Sequence, residues 1–155
     1  MAVTWILVAD SARARVFEST RRDEPLRQIE SFANPDARES GQAFTTDHAP
    51  TVNESMGFAR HSIEPHTTLR TKQATRFAKT LAAALEHGRT QQRFERLVVC
   101  APARFVGLLH GQCGKPLSDS IVAEIHRDLT ALTATGIHER VVHLLEPSVP
   151  RSVLA

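Results

Sequence analysis

The sequence is poor in aromatic residues and in cysteine. Its 155 residues include no tyrosine, one tryptophan and two cysteines. Proteins that stack single-stranded bases need aromatic side chains among their basic residues, and this chain has few to offer. Cys100 and Cys113 do not form a C-x-x-C pair, so neither a redox motif nor a zinc motif is indicated.

Long hydrophobic runs are also missing. The apolar run at residues 5–9 is far shorter than the ~20 residues that a membrane-spanning helix needs, so no membrane partner is predicted. The first residues show no basic region ahead of an apolar core, and a cytoplasmic location is therefore expected. With 41% hydrophobic and 23% charged residues, the composition is that of a soluble globular protein. The length predicts a single domain over residues 1–155.

Basic charge comes almost entirely from arginine and is concentrated in one segment. The chain has 16 arginines and 3 lysines, yet its net charge is only +2. Residues 70–104 contain eight basic and two acidic residues, a net charge of +6, whereas the segments on either side have net charges of −3 and −1. This segment is either a solvated helix face or an RNA-binding surface. The RNA-binding candidates are Arg70, Lys72, Arg76, Lys79, Arg89 and Arg93, with Arg96 and Arg104 further along.

Hydrophobic patterns predict three strands before the first long helix. An apolar run at residues 4–9 and alternation at residues 12–18 predict an antiparallel hairpin, and weaker alternation at residues 26–32 adds a third strand. Residues 97–101 are typical of a buried strand. Residues 121–129 could form a helix, but their alternation favours a strand. The fold class is therefore α/β, bordering on α+β, with a mixed five-stranded sheet flanked by helices.

The segment at about 33–68 has no regular hydrophobic period. It contains Pro35, Pro50 and Pro65 and is predicted to be a long irregular loop, with room for a short helix at residues 54–60. Loops longer than about 12–15 residues are uncommon in compact domains and are often functional.

A long helix is predicted after this loop, with Thr68 as its N-cap and Gly88 at its end. Apolar residues recur at helical spacing from Ala74 to Leu85. The basic residues that fall on a different face are Lys72, Arg76 and Lys79. Two more helices are predicted at residues 102–111 and 137–145.

Several short motifs occur in an order found in one bacterial family. They are Trp5-Ile6-Leu7-Val8-Ala9-Asp10, Ala12-Arg13-Ala14-Arg15-Val16-Phe17, Asn34-Pro35, Phe77-Ala78 with Leu81, Leu97-Val98-Val99 before Ala101-Pro102, Phe105 with Gly107 and Leu109, and Asp128-Leu129-Thr130. In these motifs the chain resembles the bacterial host attachment protein family, named for a role in attaching bacteria to host cells. That family is similar to the middle domain of archaeal and eukaryotic class 1 release factors and to Pelota. The resemblance implies an RNase H-like sheet.

The resemblance also implies a candidate catalytic loop. In the release factors, a Gly-Gly-Gln tip ahead of a long helix helps water to cleave the peptidyl-tRNA ester. The corresponding loop here contains Gly41 and Gln42, but Ser40 replaces the first glycine and lacks its conformational freedom. A turn is the simpler interpretation, and the second Gly-Gln pair at residues 111–112 shows that the dipeptide also arises by chance.

A pair of acidic residues follows two predicted strands. Asp10 ends the first strand and Asp128 ends a later one. Two carboxylates at strand ends can hold Mg²⁺ for phosphodiester cleavage. Asp10 also suits the turn of a hairpin, which is the simpler explanation.

Histidine and cysteine offer weaker candidates. His48, His61 and His66 could bind zinc, but their spacing fits no known motif. His110 and Cys113 could form a nucleophilic pair if they faced each other in the fold. No cofactor is expected.

Three functions therefore remain open. The leading one is a non-enzymatic factor that binds the ribosome or structured RNA through the basic helix and the long loop. The second is a protein-interaction factor that affects attachment to host cells without binding RNA. The third is a hydrolase that acts on peptidyl-tRNA through Gly41 and Gln42, or on phosphodiesters through Asp10 and Asp128.

Overall fold

A mixed five-stranded sheet forms the centre of the protein. The computed structural model describes residues 2–36 and 56–145, with side chains for residues 2–36 and 68–145. The strands are β1 (Thr4–Ala9), β2 (Arg13–Ser19), β3 (Arg27–Ala33), β4 (Arg96–Cys100) and β5 (Ile121–Ile125). Their order in the sheet is β3-β2-β1-β4-β5, in which β2 is antiparallel to β1 and β3, while β1, β4 and β5 run parallel. The predicted mixed sheet is confirmed.

The central strand, β1, is apolar because both of its faces are covered. All six residues of β1 are buried. Trp5 and Leu7 pack in the core on one face of the sheet, whereas Ile6 and Val8 pack in the core on the other. A strand buried on both faces reads as an unbroken apolar run. This pattern is what made β1 recognisable in the sequence.

Helices cover both faces of the sheet. They are α1 (Met56–Thr90), α2 (Ala103–Gln112), α3 (Lys115–Ser120) and α4 (Ala134–Val141), followed by a 3₁₀ turn (Val142–Leu145). α1, α2 and α3 contribute to the core that contains Trp5 and Leu7. α4 and the 3₁₀ turn contribute to the opposite core. The result is a three-layer arrangement of helices, sheet and helix.

The first helix is much longer than the sequence predicts. α1 begins at Met56, so the prediction of an irregular loop up to residue 68 is wrong for residues 56–68, and Thr68 is not its N-cap. Proline usually breaks a helix interior, yet Pro65 lies inside α1. The helical period was visible only where α1 packs on the sheet, from Ala74 to Leu85. Residues 37–55 of the predicted loop lie outside the described residues.

The end of α1 also differs from the prediction. Gly88 is inside the helix, which continues to Thr90. The chain leaves the helix at Gln92, whose φ is +59°, and the N–H of Arg93 donates to the carbonyl of Gly88 at 2.9 Å. This is a Schellman ending with glutamine in the left-handed position. Gly88 is required instead by Trp5, because a Cβ there would lie 2.5 Å from the indole ring.

Smaller differences occur near the carboxyl end of the chain. β5 is a strand, as predicted, but it ends at Ile125 rather than at residue 129. The short helix α3 was not predicted. The last helix begins earlier than expected, at Ala134, because the Thr133 side chain caps it by accepting the N–H of Gly136 at 3.1 Å.

Candidate functional site

An open cleft lies at the carboxyl ends of the parallel strands. The turn after β1 contributes Asp10, the start of α2 contributes Pro102 and Arg104, and the segment after β5 contributes Asp128. Arg70 and other residues of α1 form the remaining wall of a cavity of about 620 Å³. In open α/β sheets, ligands bind outside the carboxyl ends of the strands where the connections diverge to the two sides. In this sheet that place is between β1 and β4.

Asp10 and Asp128 come together in this cleft through Thr130. The Thr130 hydroxyl lies 3.3 Å from Asp10 Oδ2 and also within hydrogen-bond distance of Asp128 Oδ1. Arg13 donates to the same hydroxyl at 3.3 Å. The two carboxylates are thus brought together, although Asp128 lies in the segment after β5 and not at the end of the strand as predicted. Thr130, the residue that links them, belongs to the motif Asp128-Leu129-Thr130 but was not predicted as a site residue.

One oxygen of each carboxylate at this link serves local structure. Asp10 Oδ1 accepts the backbone N–H groups of Ala12 and Arg13, both at 2.8 Å, and so shapes the turn after β1. Asp128 Oδ1 accepts the Thr130 N–H at 2.9 Å. Although partial burial raises the pKa of Asp128, the hydrogen bonds with Thr130 and Asp10 and the charge of Arg13 together hold that pKa below its ordinary value. Within the described parts of the chain, no group of three or more histidine, cysteine or acidic side chains could hold a metal ion.

The outer face of α1 is basic, and we define it by Lys72, Arg76 and Lys79. All three residues are exposed, and they lie on the side of the helix opposite the buried positions from Ala74 to Leu85. Arg76 donates to Asp36 Oδ2 at 3.0 Å, which ties α1 to the segment after β3. The predicted stripe of basic side chains is therefore present as a solvent-exposed surface.

The other predicted RNA-binding residues are distributed differently. Arg70 and Arg104 line the cleft, and Arg104 donates to the Thr71 hydroxyl at 3.2 Å. Arg89 pairs with Glu86 at 2.7 Å, and the guanidinium of Arg93 lies 5.1 Å from the centre of the Trp5 ring. These two side chains are engaged in contacts within the protein, at the far end of α1 from the cleft. They do not extend the outer face of α1.

Two histidines flank a carboxylate near the edge strand β5. His110 contacts Glu124, and His126 Nε2 lies 3.1 Å from Glu124 Oε1. Partial burial raises the pKa of Glu124, but the hydrogen bonds from His126 and His110 lower it more. The proposed pairing of His110 with Cys113 is not favoured, because burial and then the charge of Glu86 raise the pKa of the Cys113 thiol. An activated nucleophile requires a lowered pKa.

Several predicted site residues cannot be placed in this geometry. Gly41, Gln42 and His48 lie outside the described residues. His61 and His66 belong to α1, for which the backbone alone is described at these positions.

The sheet, its covering helices and the cleft define an α/β domain with an open site at the carboxyl ends of its parallel strands. The chain belongs to a family described as "Protein required for attachment to host cells", whose family model matches residues 5–141. Among curated proteins, none matches the chain. None of the helices that the structure describes is long and apolar enough to cross a membrane.

Proposed function

We propose that this host-attachment-family domain is a cytoplasmic, non-enzymatic factor that binds structured RNA, with the ribosome as the natural source of such RNA. The observation that carries the proposal is the outer face of α1. It presents three exposed cationic side chains along two turns of one helix, within the segment of net charge +6. The likeness of the family to release factors and Pelota, and an RNase H-like fold, form part of this proposal.

The spacing of the outer face suits a nucleic acid backbone. Residues seven apart on an α-helix lie about 10.5 Å apart along its axis, so Lys72 and Lys79 can reach different phosphates. Each phosphate neutralised by a lysine or arginine releases condensed counterions, which makes such binding strongly dependent on salt. Arg70 and Arg104 in the cleft would add contacts next to this surface.

Most of the aromatic side chains that the structure describes are buried, which favours recognition of the RNA backbone over stacking on bases. Trp5, Phe77, Phe94 and Phe105 are all buried. Stacking platforms for single-stranded bases need accessible rings. Double-stranded or folded RNA is recognised mainly by its shape and by phosphate and 2′-hydroxyl contacts, which the outer face can supply.

A phosphodiesterase is the second candidate, and the meeting of Asp10 and Asp128 at Thr130 favours it. The donor set fits a metal ion poorly, because Oδ1 of each carboxylate already accepts backbone N–H groups. We therefore derive no catalytic step through a metal ion. Loss of RNA integrity on incubation with the protein and Mg²⁺, abolished by Asp128→Asn, would favour this second function over the first.

Charge reversal on the outer face tests the leading proposal. The double variant Lys72→Glu and Lys79→Glu changes two exposed residues that make no ion pair with the described side chains. Its matched control is Lys115→Glu with Arg140→Glu, which makes the same change of net charge on α3 and α4, outside the outer face.

Co-sedimentation with ribosomes at low salt should be lost in the first variant and kept in the control. Equal loss in both variants would indicate a general effect of net charge. Retention in both would remove the outer face as the binding surface.

A further inference from the structure

A second cavity lies on the face of the sheet opposite α1. Its volume is about 620 Å³, and its lining includes Arg13, Arg15, Ser31, Thr130 and Thr133. Arg13 and Arg15 are two residues apart in β2, so their side chains leave the same face of the sheet. Ala14 and Val16 between and beside them point the other way, into the core that α1 covers.

The two arginines converge on one short segment. Arg15 Nη2 donates to the carbonyls of Thr130 at 2.8 Å and Leu132 at 2.6 Å. Arg13 Nη2 donates to the Thr130 hydroxyl at 3.3 Å. Both guanidinium groups therefore stand at the same residue, with like charges side by side.

The charge of this cavity is incompletely balanced. None of the residues that line it is acidic. Asp128 and Asp10 lie across Thr130, and the charge of Asp128 acts on Arg13. Arg15, in contrast, donates to neutral carbonyls, and its pKa is lowered by burial and then by the nearby charge of Arg13. An anion placed between the two side chains would remove this unfavourable interaction.

Two further residues with hydroxyl groups, Ser31 and Thr133, line the same cavity as the guanidinium groups. Ser31 is the direct partner of Arg15 in the β2–β3 register. Thr133, at the start of α4, lines the other side of the cavity. Guanidinium groups bind phosphate oxygens through paired hydrogen bonds, and hydroxyl donors from other directions suit a tetrahedral anion better than a planar carboxylate.

We propose that the cavity between Arg13, Arg15 and Thr133 binds a phosphoryl group, either as inorganic phosphate or as part of a small phosphorylated molecule. This site is separate from the RNA-binding surface, because it opens on the other face of the sheet. The two proposals can therefore fail independently.

Phosphate titration followed by amide chemical shifts tests the site. The full chain is titrated with inorganic phosphate at constant ionic strength set by chloride, and acetate is titrated in parallel. Phosphate should move the amides of residues 13–15, 31 and 130–133, and acetate should not. Titration with adenosine monophosphate distinguishes a phosphorylated molecule from free phosphate, and adenosine is the control without a phosphate. Tighter binding of adenosine monophosphate than of phosphate indicates a phosphorylated ligand. Equal affinity for the two indicates free phosphate.

Substitutions place the binding in the cavity. Arg13→Gln changes an exposed side chain and should weaken phosphate binding by roughly tenfold, as expected for loss of a charge-assisted hydrogen bond. Ser31→Asp, which adds a negative charge at the mouth, should abolish it. Lys115→Gln is the control of equal charge change and should have no effect. Shifts that are absent, that acetate reproduces, or that persist unchanged in Arg13→Gln would overturn the proposal.

Discussion

Trp5 is held by contacts from three parts of the chain. The centroids of the Trp5 and Phe94 rings are 4.6 Å apart, and the guanidinium of Arg93 lies over the Trp5 ring. The indole Nε1 of Trp5 donates to Glu18 at 3.4 Å. Gly88 allows α1 to approach the ring closely. The single tryptophan is thus a core residue, and its surroundings explain the glycine in the last turn of α1.

Gly88→Ala should destabilise the protein. The new Cβ would meet the Trp5 ring at 2.5 Å, and the ring is buried and cannot move freely. We expect a loss of about 1–3 kcal/mol in the free energy of unfolding, measured by urea denaturation. The control is Gly107→Ala in α2, where nothing lies within 4 Å of the new Cβ. It should stabilise the helix by about 0.5–1 kcal/mol, and a stabilising Gly88→Ala would refute the packing described here.

The two cysteines should differ in reactivity. Burial raises the pKa of Cys100 to about 12, while Cys113 is only partly buried. At pH 8, iodoacetamide should modify Cys113 slowly and leave Cys100 intact until denaturant is added, because the thiolate is the reactive form. Mass spectrometry of the intact protein counts the modified thiols. Rapid modification of both thiols in the native protein would contradict the burial of β4.

At the scale of elements, the end of α1 places a glutamine in a backbone conformation that suits glycine better. Gln92 has a left-handed backbone conformation, which residues other than glycine and asparagine rarely adopt. The Schellman hydrogen bonds at this position hold it there.

Gln92→Gly should therefore stabilise the protein by about 0.5 kcal/mol or more, since glycine adopts this backbone without steric cost. Gln91→Gly is the matched control, because Gln91 has no positive φ and gains nothing from glycine. Urea denaturation of both variants measures the difference. Destabilisation of equal size in the two variants would show that the left-handed residue is not where the structure has it.

The link between Asp10, Thr130 and Asp128 joins the segments that follow β1 and β5. Thr130 is buried, and its hydroxyl faces both carboxylates. Thr130→Val keeps the shape but removes this hydrogen bonding, so we expect a loss of about 1.5–3 kcal/mol in the free energy of unfolding at pH 7.

The stability lost in Thr130→Val should depend on pH. The pKa of Asp128 is lowered in the folded protein, so its contribution to stability is complete above the unfolded pKa of about 4 and disappears as pH falls through the folded value. The difference between wild type and Thr130→Val should therefore shrink below about pH 4. A carbon-detected NMR titration should also show a higher pKa for Asp128 in the variant. A constant difference across this pH range would contradict the link.

For the whole molecule, much of the sheet was predictable because the buried positions of its strands are occupied by apolar residues in a recognisable pattern. The apolar runs of β1 and β4 and the alternation of β2 indicate these strands directly. The first half of α1 was not predictable, since Pro65 is unfavourable in a helix and the apolar period begins only at Ala74. Helix formation is cooperative, so a helix that is already packed on the sheet can extend into a segment that has no apolar period of its own.

The candidate sites show the same division. The sequence offered the pairing of Asp10 with Asp128 as one alternative, because the ends of parallel strands share one edge of the sheet. In the structure β5 ends at Ile125, and the two carboxylates meet at Thr130 in the segment that follows. The convergence of Arg13 and Arg15 on Thr130 could not, because it depends on how the segment after β5 folds back across β2. The spacing of the basic residues predicted the outer face of α1, because residues three or four apart in the sequence lie on the same face of a helix.

Equilibrium binding to a structured RNA across a salt series tests the central claim most directly. With the wild-type chain and a ribosomal RNA hairpin, the logarithm of the association constant should fall linearly with the logarithm of salt concentration. The neutral double variant, Lys72→Gln with Lys79→Gln, removes two phosphate contacts and should make this slope shallower by about 1.8. The same slope in wild type and variant, or no binding to the hairpin at low salt, would contradict the account.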